Sequence, residues 1–267
     1  MRLNRFLAAA GLGSRRHCDE LITRGRVTIN GKICTNFSAQ PGERDHVKVD
    51  DKLVCPAPAL TIMLHKPGGF VSTRKDRHAR DTVFDLLPEK FSQLFNVGRL
   101  DAQTEGLLLL TNDGELAQRL THPRFKVDKE YEITLDRPWD PSLAPKLLRG
   151  IVLDGQRAKI ARLRSLSPTR LRLILRQGIN RQIRRMFQAV GYRIKHLVRV
   201  GVGNLRLGDL PCGHWRALTK HELKDLHLMN SSGVVAAGAD RGRKEAAYVG
   251  KPRSTPSATT SNETRRL

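Results

Sequence analysis

The 267-residue chain is poor in the features that mark secreted, membrane-spanning or metal-stapled proteins. Its four cysteines, Cys18, Cys34, Cys55 and Cys212, are scattered. They form no CxxC pair and no zinc-like Cys/His spacing, which argues against a disulfide or metal framework and predicts a reducing, cytoplasmic setting. The adjacent His17 and Cys18 do not make a ligand set. No apolar run approaches the ~20 residues that a spanning helix needs, and Gly106 to Leu110 falls far short of it. Met1-Arg2-Leu3-Asn4-Arg5 has neither the apolar segment nor the small-residue cleavage site of a signal peptide. Aromatic residues are sparse at 5%, with three Tyr and two Trp, so few side chains can offer a stacking surface. The most telling scarcity is local: residues 155–208 carry 14 Lys or Arg and no carboxylate.

What is abundant is positive charge, 48 Lys plus Arg against 26 Asp plus Glu, for a net of +22. With 39% hydrophobic residues the chain has enough apolar material for a packed core, so the charge decorates a folded protein. Such an excess implies a polyanionic partner. Residues 1–60 hold a net +4, residues 61–154 balance 14 of each sign, and residues 229–267 hold seven basic against three acidic side chains. Solvated faces usually mix signs, so the carboxylate-free stretch is the sharper signal. It points to a nucleic-acid surface.

Pro56-Ala57-Pro58 favours extended backbone and marks a linker at about 55–60. The chain then divides into an N-terminal unit (1–56), a main domain (61–228) and a tail (229–267). The tail is rich in Ser, Thr, Gly, Ala and Arg, as in Ser254-Thr255-Pro256-Ser257, and is expected to be a disordered basic segment. In the first unit, Leu3, Phe6, Leu7 and Ala10 are spaced for a helix. Ser14 is placed to cap a second helix running to about Arg24, with Gly25 as its stop. Val27-Thr28-Ile29, Asn30-Gly31 and Lys32-Ile33-Cys34 predict a hairpin on a type I′ turn. Arg15, Arg16, Arg24, Arg26 and Lys32 gather around the second helix and hairpin, where helix-end N–H groups and cations suit phosphate. Over about 50 residues, from Arg2 through Gly11, Ser14-Arg15-Arg16, Gly25-Arg26-Val27 and Asn30-Gly31-Lys32, this pattern resembles the S4 RNA-binding domain.

In the main domain, Leu60 to Leu64 reads as a buried strand leading into His65-Lys66-Pro67-Gly68-Gly69. Gly98-Arg99-Leu100-Asp101 forms a loop, Leu107 to Thr111 a second strand, and Asn112-Asp113-Gly114 a turn before a helix through Leu116 and Leu120. On spacing alone, Arg99 and Asp101 are equally consistent with a surface ion pair. Tyr131, Ile133 and Leu135 alternate as one face of a strand.

Four blocks occur in order: Lys66-Pro67-x-Gly69; Gly98-Arg99-Leu100-Asp101-x-x-Thr104-x-Gly106 through Gly114; Lys129-Glu130-Tyr131; and Gly178-x-Asn180-Arg181-Gln182-Ile183-Arg184-Arg185-Met186. With the S4-like start they resemble the RsuA/RluB-type family of ribosomal RNA pseudouridine synthases, over residues 2 to 226. The resemblance implies an α+β catalytic domain with a central mixed, mostly antiparallel sheet. It also implies isomerisation of uridine in RNA, in which N1–C1′ breaks and C5–C1′ forms, with no cofactor and no metal.

The same resemblance makes Asp101 the catalytic aspartate, as nucleophile at C1′ or as base at C2′, and Arg184 its active-site cation and ion-pair partner. It makes Tyr131 the residue stacked on the base and Arg99 the side chain that helps displace the flipped nucleotide. Leu197 becomes an apolar pocket residue, although an ordinary core leucine fits that position equally. Arg181 and Arg185, four apart on one helix face, are expected on RNA phosphates. Gln177-Gly178-Ile179-Asn180 departs from the acidic and basic residues that many relatives place around that glycine, which leaves the family branch open. A large-subunit ribosomal RNA uridine is the expected target and ribosomal RNA the expected partner of a monomeric, non-membrane enzyme. Small-subunit RNA, transfer RNA and a non-catalytic RNA-binding assembly factor are the alternatives.

Overall fold

The computed structural model describes residues 1–74, 76–228 and the backbone of 249–250. The chain opens with α1 (Leu3–Ala9) and α2 (Arg15–Thr23), followed by β1 (Val27–Ile29), β2 (Lys32–Ile33), β3 (Val47–Val49) and β4 (Lys52–Leu53). Ser14 Oγ accepts the His17 N–H at 3.2 Å, so the expected cap is formed. Asn30 and Gly31 both take positive φ, as the type I′ turn requires. A second hairpin, β3–β4, turns on Asp50 and Asp51, also at positive φ, and completes a four-stranded sheet in the order β2-β1-β3-β4. An Asp-Asp turn lacks the glycine signal, which is why the sequence showed one hairpin where the fold has two. Leu3, Leu7, Leu21, Ile22, Val27, Val47 and Val49 close a small core between the helices and this sheet.

The rest of the described chain is built on one ten-stranded sheet. Its strands are β5 (Thr61–Lys66), β6 (Phe95–Asn96), β7 (Glu105–Thr111), β8 (Lys129–Leu135), β11 (Arg162–Ser165), β12 (Arg170–Leu175), β13 (Ile194–Val202), β14 (Leu205–Arg206), β15 (Trp215–Ala217) and β16 (Val249–Gly250). A separate hairpin is made of β9 (Ile151–Leu153) and β10 (Gln156–Ala158). The helices are α3 (Gly114–Thr121), α4 (Ala144–Arg149), α5 (Gln182–Gln188) and α6 (Lys220–Leu228). The order β11-β12-β8-β13-β7-β5-β15-β16 is antiparallel except between β13 and β7. This is the mixed, mostly antiparallel sheet of an α+β domain.

Leu107 to Leu110 show why the run lacks polar alternation. Leu108 and Leu110 face a core shared with Ile133, Leu173, Met186 and Phe187 of α5. Leu107 and Leu109 face the opposite core with Leu116 and Leu120 of α3 and Leu226 of α6. A strand covered on both faces is apolar at every position. Each fully buried leucine contributes about 1.5–3 kcal/mol.

The two parallel strands meet at Gly106, whose φ is +103°. A Cβ there would lie 2.3 Å from the Arg199 carbonyl oxygen and 2.7 Å from its nitrogen. Only glycine admits β13 this close.

The N-terminal unit is tied to the main domain by Arg5, which donates to Glu115 of α3 at 3.2 Å, and by the Ala57 N–H on the Ala9 carbonyl at 3.0 Å. Of the expected tail, Val249–Gly250 is instead a short strand against Trp215 and Arg216, where the edge of β15 offers unpaired backbone groups. The remaining tail residues lie outside the described residues.

Candidate active site

A cleft of about 1840 Å³ opens in the main domain. Its lining includes eleven Lys or Arg side chains and two carboxylates, Asp76 and Asp101. Arg80 holds both oxygens of Asp76, at 2.7 and 2.8 Å, and keeps that acid well below the usual carboxylate range. The Asp101 carboxylate, half-buried, has no hydrogen bond or ion pair with any described residue. It is the free acid in a basic cleft.

The loop that carries Asp101 has every carbonyl from residue 100 to 104 engaged. Ser72 Oγ donates to Leu100 at 3.0 Å, and the Thr104 N–H to Asp101 at 3.0 Å. Ala102 accepts from the Gly69 N–H at 2.8 Å and from Lys66 Nζ at 3.0 Å. Arg184 Nη2 donates to Gln103 at 2.9 Å, and Lys66 Nζ to Thr104 at 2.8 Å. Lys66 completes its three bonds on Pro67 at 2.8 Å and is fully buried; burial pushes its amine down to about 8, against the pull of Glu105 and Asp101. Residues far apart in sequence thus fix one loop, and with it the carboxylate.

Tyr131 sits on β8, 8% exposed, and its register partners are Leu173 and Arg199. Its ring packs in the core while its hydroxyl makes no hydrogen bond with a described residue. The strand alternation at Tyr131, Ile133 and Leu135 is present, and the cleft-lining position is present as well. Leu197, 4% exposed, likewise belongs to both the core and the cleft wall. Arg99 is exposed beside Asp101 with no protein partner among the described residues.

Arg184 differs from expectation. It makes no ion pair with Asp101; its guanidinium spans the Gln103 carbonyl and the Ile194 carbonyl, the latter at 3.0 Å, and leaves Nε buried without a partner. The fork is spent on two backbone carbonyls, one in the Asp101 loop and one on β13, so the cation acts on the carboxylate through space. Burial and the neighbouring Arg181 pull its pKa down, and the charge of Asp101 opposes them.

Arg181 lines the cleft and precedes α5 in a left-handed conformation, φ 48°, rather than within the helix. Arg185 is drawn away: Asp154 at the β9–β10 turn accepts both of its Nη groups, at 2.7 and 2.6 Å, and it does not line the cleft. A carboxylate 31 residues upstream was invisible to helix-face reasoning. In the N-terminal unit Arg15, Arg16, Arg24, Arg26 and Lys32 are all exposed and lie outside the cleft. Arg26 is held by Asp50, with Nε to Oδ1 at 2.8 Å, whereas the other four side chains have no bond among the described residues.

The sequence reading passed over several lining residues. Arg77, His78 and Arg80 come from the loop after β5, Arg157 from the β9–β10 hairpin and Lys159 from just after it, and Lys129 and Arg199 from β8 and β13. Lys129 was visible only as part of a Lys-Glu-Tyr block, and Arg199 as one more arginine in a basic stretch.

An unpaired carboxylate on a braced loop, with a buried tyrosine in the wall of the same cationic cleft, describes an enzyme acting on a polyanion, with a separate RNA-binding fold at its N-terminus. Comparison with known proteins gives the class its name. Residues 60–189 match the family model described as RNA pseudouridylate synthase, and residues 1–47 match the S4 domain. The chain is 36% identical over 238 residues to ribosomal large subunit pseudouridine synthase B of Bacillus subtilis, covering 87% of this chain and 98% of that protein. It is 36% identical over 258 residues to the dual-specificity RNA pseudouridine synthase RluF of Escherichia coli K12, covering 94% and 87%. A crystal structure of a pseudouridylate synthase superposes with a TM-score of 0.62 at 31% identity, covering 85% of this chain and 99% of that one. The chain belongs to the RNA pseudouridine synthase family, of the RsuA/RluB/RluF type that carries an S4 domain, and is an enzyme that isomerises uridine in RNA.

Proposed function

We propose that the enzyme modifies a uridine of large-subunit ribosomal RNA and that Asp101 is its catalytic residue. The observation that carries the second part is the Asp101 carboxylate: unpaired, and held by a loop whose carbonyls are all engaged. A carboxylate bound to an arginine would first have to be released; this one is ready to act at the ribose. Attack at C1′ and removal of the C2′ proton both begin from this placement. In either route N1–C1′ breaks, the uracil turns, C5–C1′ forms, and the C5 proton is replaced by one on N1, so no cofactor is consumed.

The target base has to leave the RNA stack to reach Asp101, at a cost of a few kcal/mol. Exposed Arg99 stands at the mouth of the site to fill the space it vacates and bond phosphate. Tyr131 supplies a ring for the uracil, with its free hydroxyl near the C5 proton. The S4 unit tethers the RNA through the unpaired Arg15, Arg16, Arg24 and Lys32. The large-subunit assignment is supported by the name of the Bacillus subtilis relative, whose length the chain matches almost completely. A cytoplasmic location belongs to the same proposal.

The test is a chemical map of pseudouridines in ribosomal and transfer RNA from cells lacking the protein, complemented with wild type or Asp101→Ala. One site, or a few neighbouring sites, should vanish from large-subunit RNA and return with wild type alone. Rescue by Asp101→Ala would remove Asp101 from the chemistry. A missing site in small-subunit or transfer RNA would reassign the target.

A further inference from the structure

Two cations that line the cleft form no ion pair among the described residues, and the reaction proposed at Asp101 does not use them. Lys129 and Tyr131 lie two residues apart on β8 and so share a face, about 7 Å along the strand. Arg199 is the register partner of Tyr131 on β13. Both Lys129 and Arg199 line the cleft, and Arg199 is 4% exposed.

Each has a single hydrogen bond among the described residues. Arg199 Nε donates to the Leu107 carbonyl at 2.7 Å, and Lys129 Nζ to the Val127 carbonyl at 3.0 Å. Neither forms an ion pair. The acid next to Lys129 in sequence, Asp128, is bound by Arg176 at 2.6 Å. Glu130 is turned to Arg172 and Arg206, at 3.5 and 3.4 Å. Burial first, and the charge of Arg199 second, push the Lys129 amine down to about 8, and the charge of Asp128 only partly opposes them.

A purely architectural role accounts for part of this. The Arg199 Nε bond closes the gap where β13 leaves β7, and one nitrogen suffices for it. It leaves the Nη groups of Arg199 and two of the three Lys129 protons unused. Keeping two desolvated like charges side by side is costly unless an anion joins them. In an RNA cleft that anion is a phosphate.

We propose that Lys129 and Arg199 form a discrete phosphate subsite that grips the backbone phosphate adjoining the flipped uridine while its base lies on Tyr131. This rests on the reading of Tyr131 as the base platform. The subsite would give a nucleotide purchase where a nucleoside has none. It would also set the register in which C1′ meets Asp101, because the phosphate and the base would be held at two fixed points of one strand face.

The test uses the full-length protein and three probes: uridine, uridine 5′-monophosphate and uridine 3′-monophosphate, titrated by NMR at low salt. Wild type should bind one of the two monophosphates about tenfold more tightly than uridine, a difference of ~1.4 kcal/mol. Lys129→Met should lose that preference, and Lys129→Arg should keep it. Urea unfolding of each variant establishes that it is folded. If Lys129→Met does not fold, Lys129→Gln and Arg199→Gln take its place, with the same loss expected. Equal binding of all three probes by wild type overturns the proposal without any variant, and so does a phosphate preference that survives in folded Lys129→Met. These titrations do not require turnover, so a pseudouridine map with no missing site would count against the proposed function and leave this result standing.

Discussion

Lys66 Nζ donates to the Thr104 carbonyl at 2.8 Å, across 38 residues of sequence, from a side chain with no exposure to solvent. The same ammonium takes the Ala102 carbonyl. A strand end and the Asp101 loop are thereby joined at a single buried atom, which makes the position of Asp101 a property of the core.

Replacing Lys66 with Met keeps the bulk and removes three donors. Carbonyls left unpaired in the interior cost about 1–3 kcal/mol each, partly offset because a buried charge is also removed. We expect Lys66→Met to lose about 2–4 kcal/mol in urea unfolding. In conditions where it remains folded, kcat should fall more than RNA affinity does. Unchanged stability would mean that the loop is held without Lys66.

Gly106→Ala should be among the most damaging small substitutions in the chain. The added Cβ meets backbone rather than a flexible side chain, at 2.3 Å, and φ of +103° is unfavourable for alanine. A loss of about 3 kcal/mol or more is expected, read as a drop in the urea midpoint. A loss under about 1 kcal/mol would show that β13 can shift away from β7 at little cost.

The S4 cations and Arg185 should separate in a salt titration. Arg15 and Arg16 are exposed and unpaired, so Arg15→Ala/Arg16→Ala should reduce the slope of log affinity against log salt by roughly 1–2. Arg185 already has its carboxylate in Asp154, and Arg185→Ala should leave the slope nearly unchanged. A steep loss for Arg185→Ala would mean that RNA displaces Asp154.

Lys129 makes a pH prediction. Its amine is held down to about 8 in the folded protein, by burial and then by Arg199, against an ordinary value of 10.5. Between those two pH values the unfolded chain binds the proton that the folded one has released, so stability rises with pH across that window. The stability of wild type relative to Lys129→Met should therefore improve from pH 8 to 10.5 in urea unfolding. A flat difference would place the amine in water.

Much of the architecture was legible because it is local. The Ser14 cap, the Asn30-Gly31 turn and the Asn112-Asp113-Gly114 turn before α3 depend on short-range backbone geometry that particular residues satisfy. The Asp50-Asp51 hairpin was missed because two aspartates adopt positive φ only when the strands around them demand it. The blocks around Lys66, Asp101, Tyr131 and Arg184 are recognisable as a set, and the fold brings Asp101, Tyr131 and Arg184 into the lining of one cleft.

By itself the sequence determined the class of chemistry and the sign of the surface: a carboxylate in a fixed motif, an RNA-binding start, and a long stretch without acids. Only the tertiary structure decided which cations are free and which are spent. Arg184 and Lys66 hold loop carbonyls, Arg185 is taken by Asp154 and Arg26 by Asp50, whereas Arg99, Lys129 and Arg199 line the cleft with no carboxylate bound to them among the described residues. The reason is physical. Charge is written residue by residue, but pairing depends on distances of a few ångströms between groups tens of residues apart, and only the folded chain sets those distances.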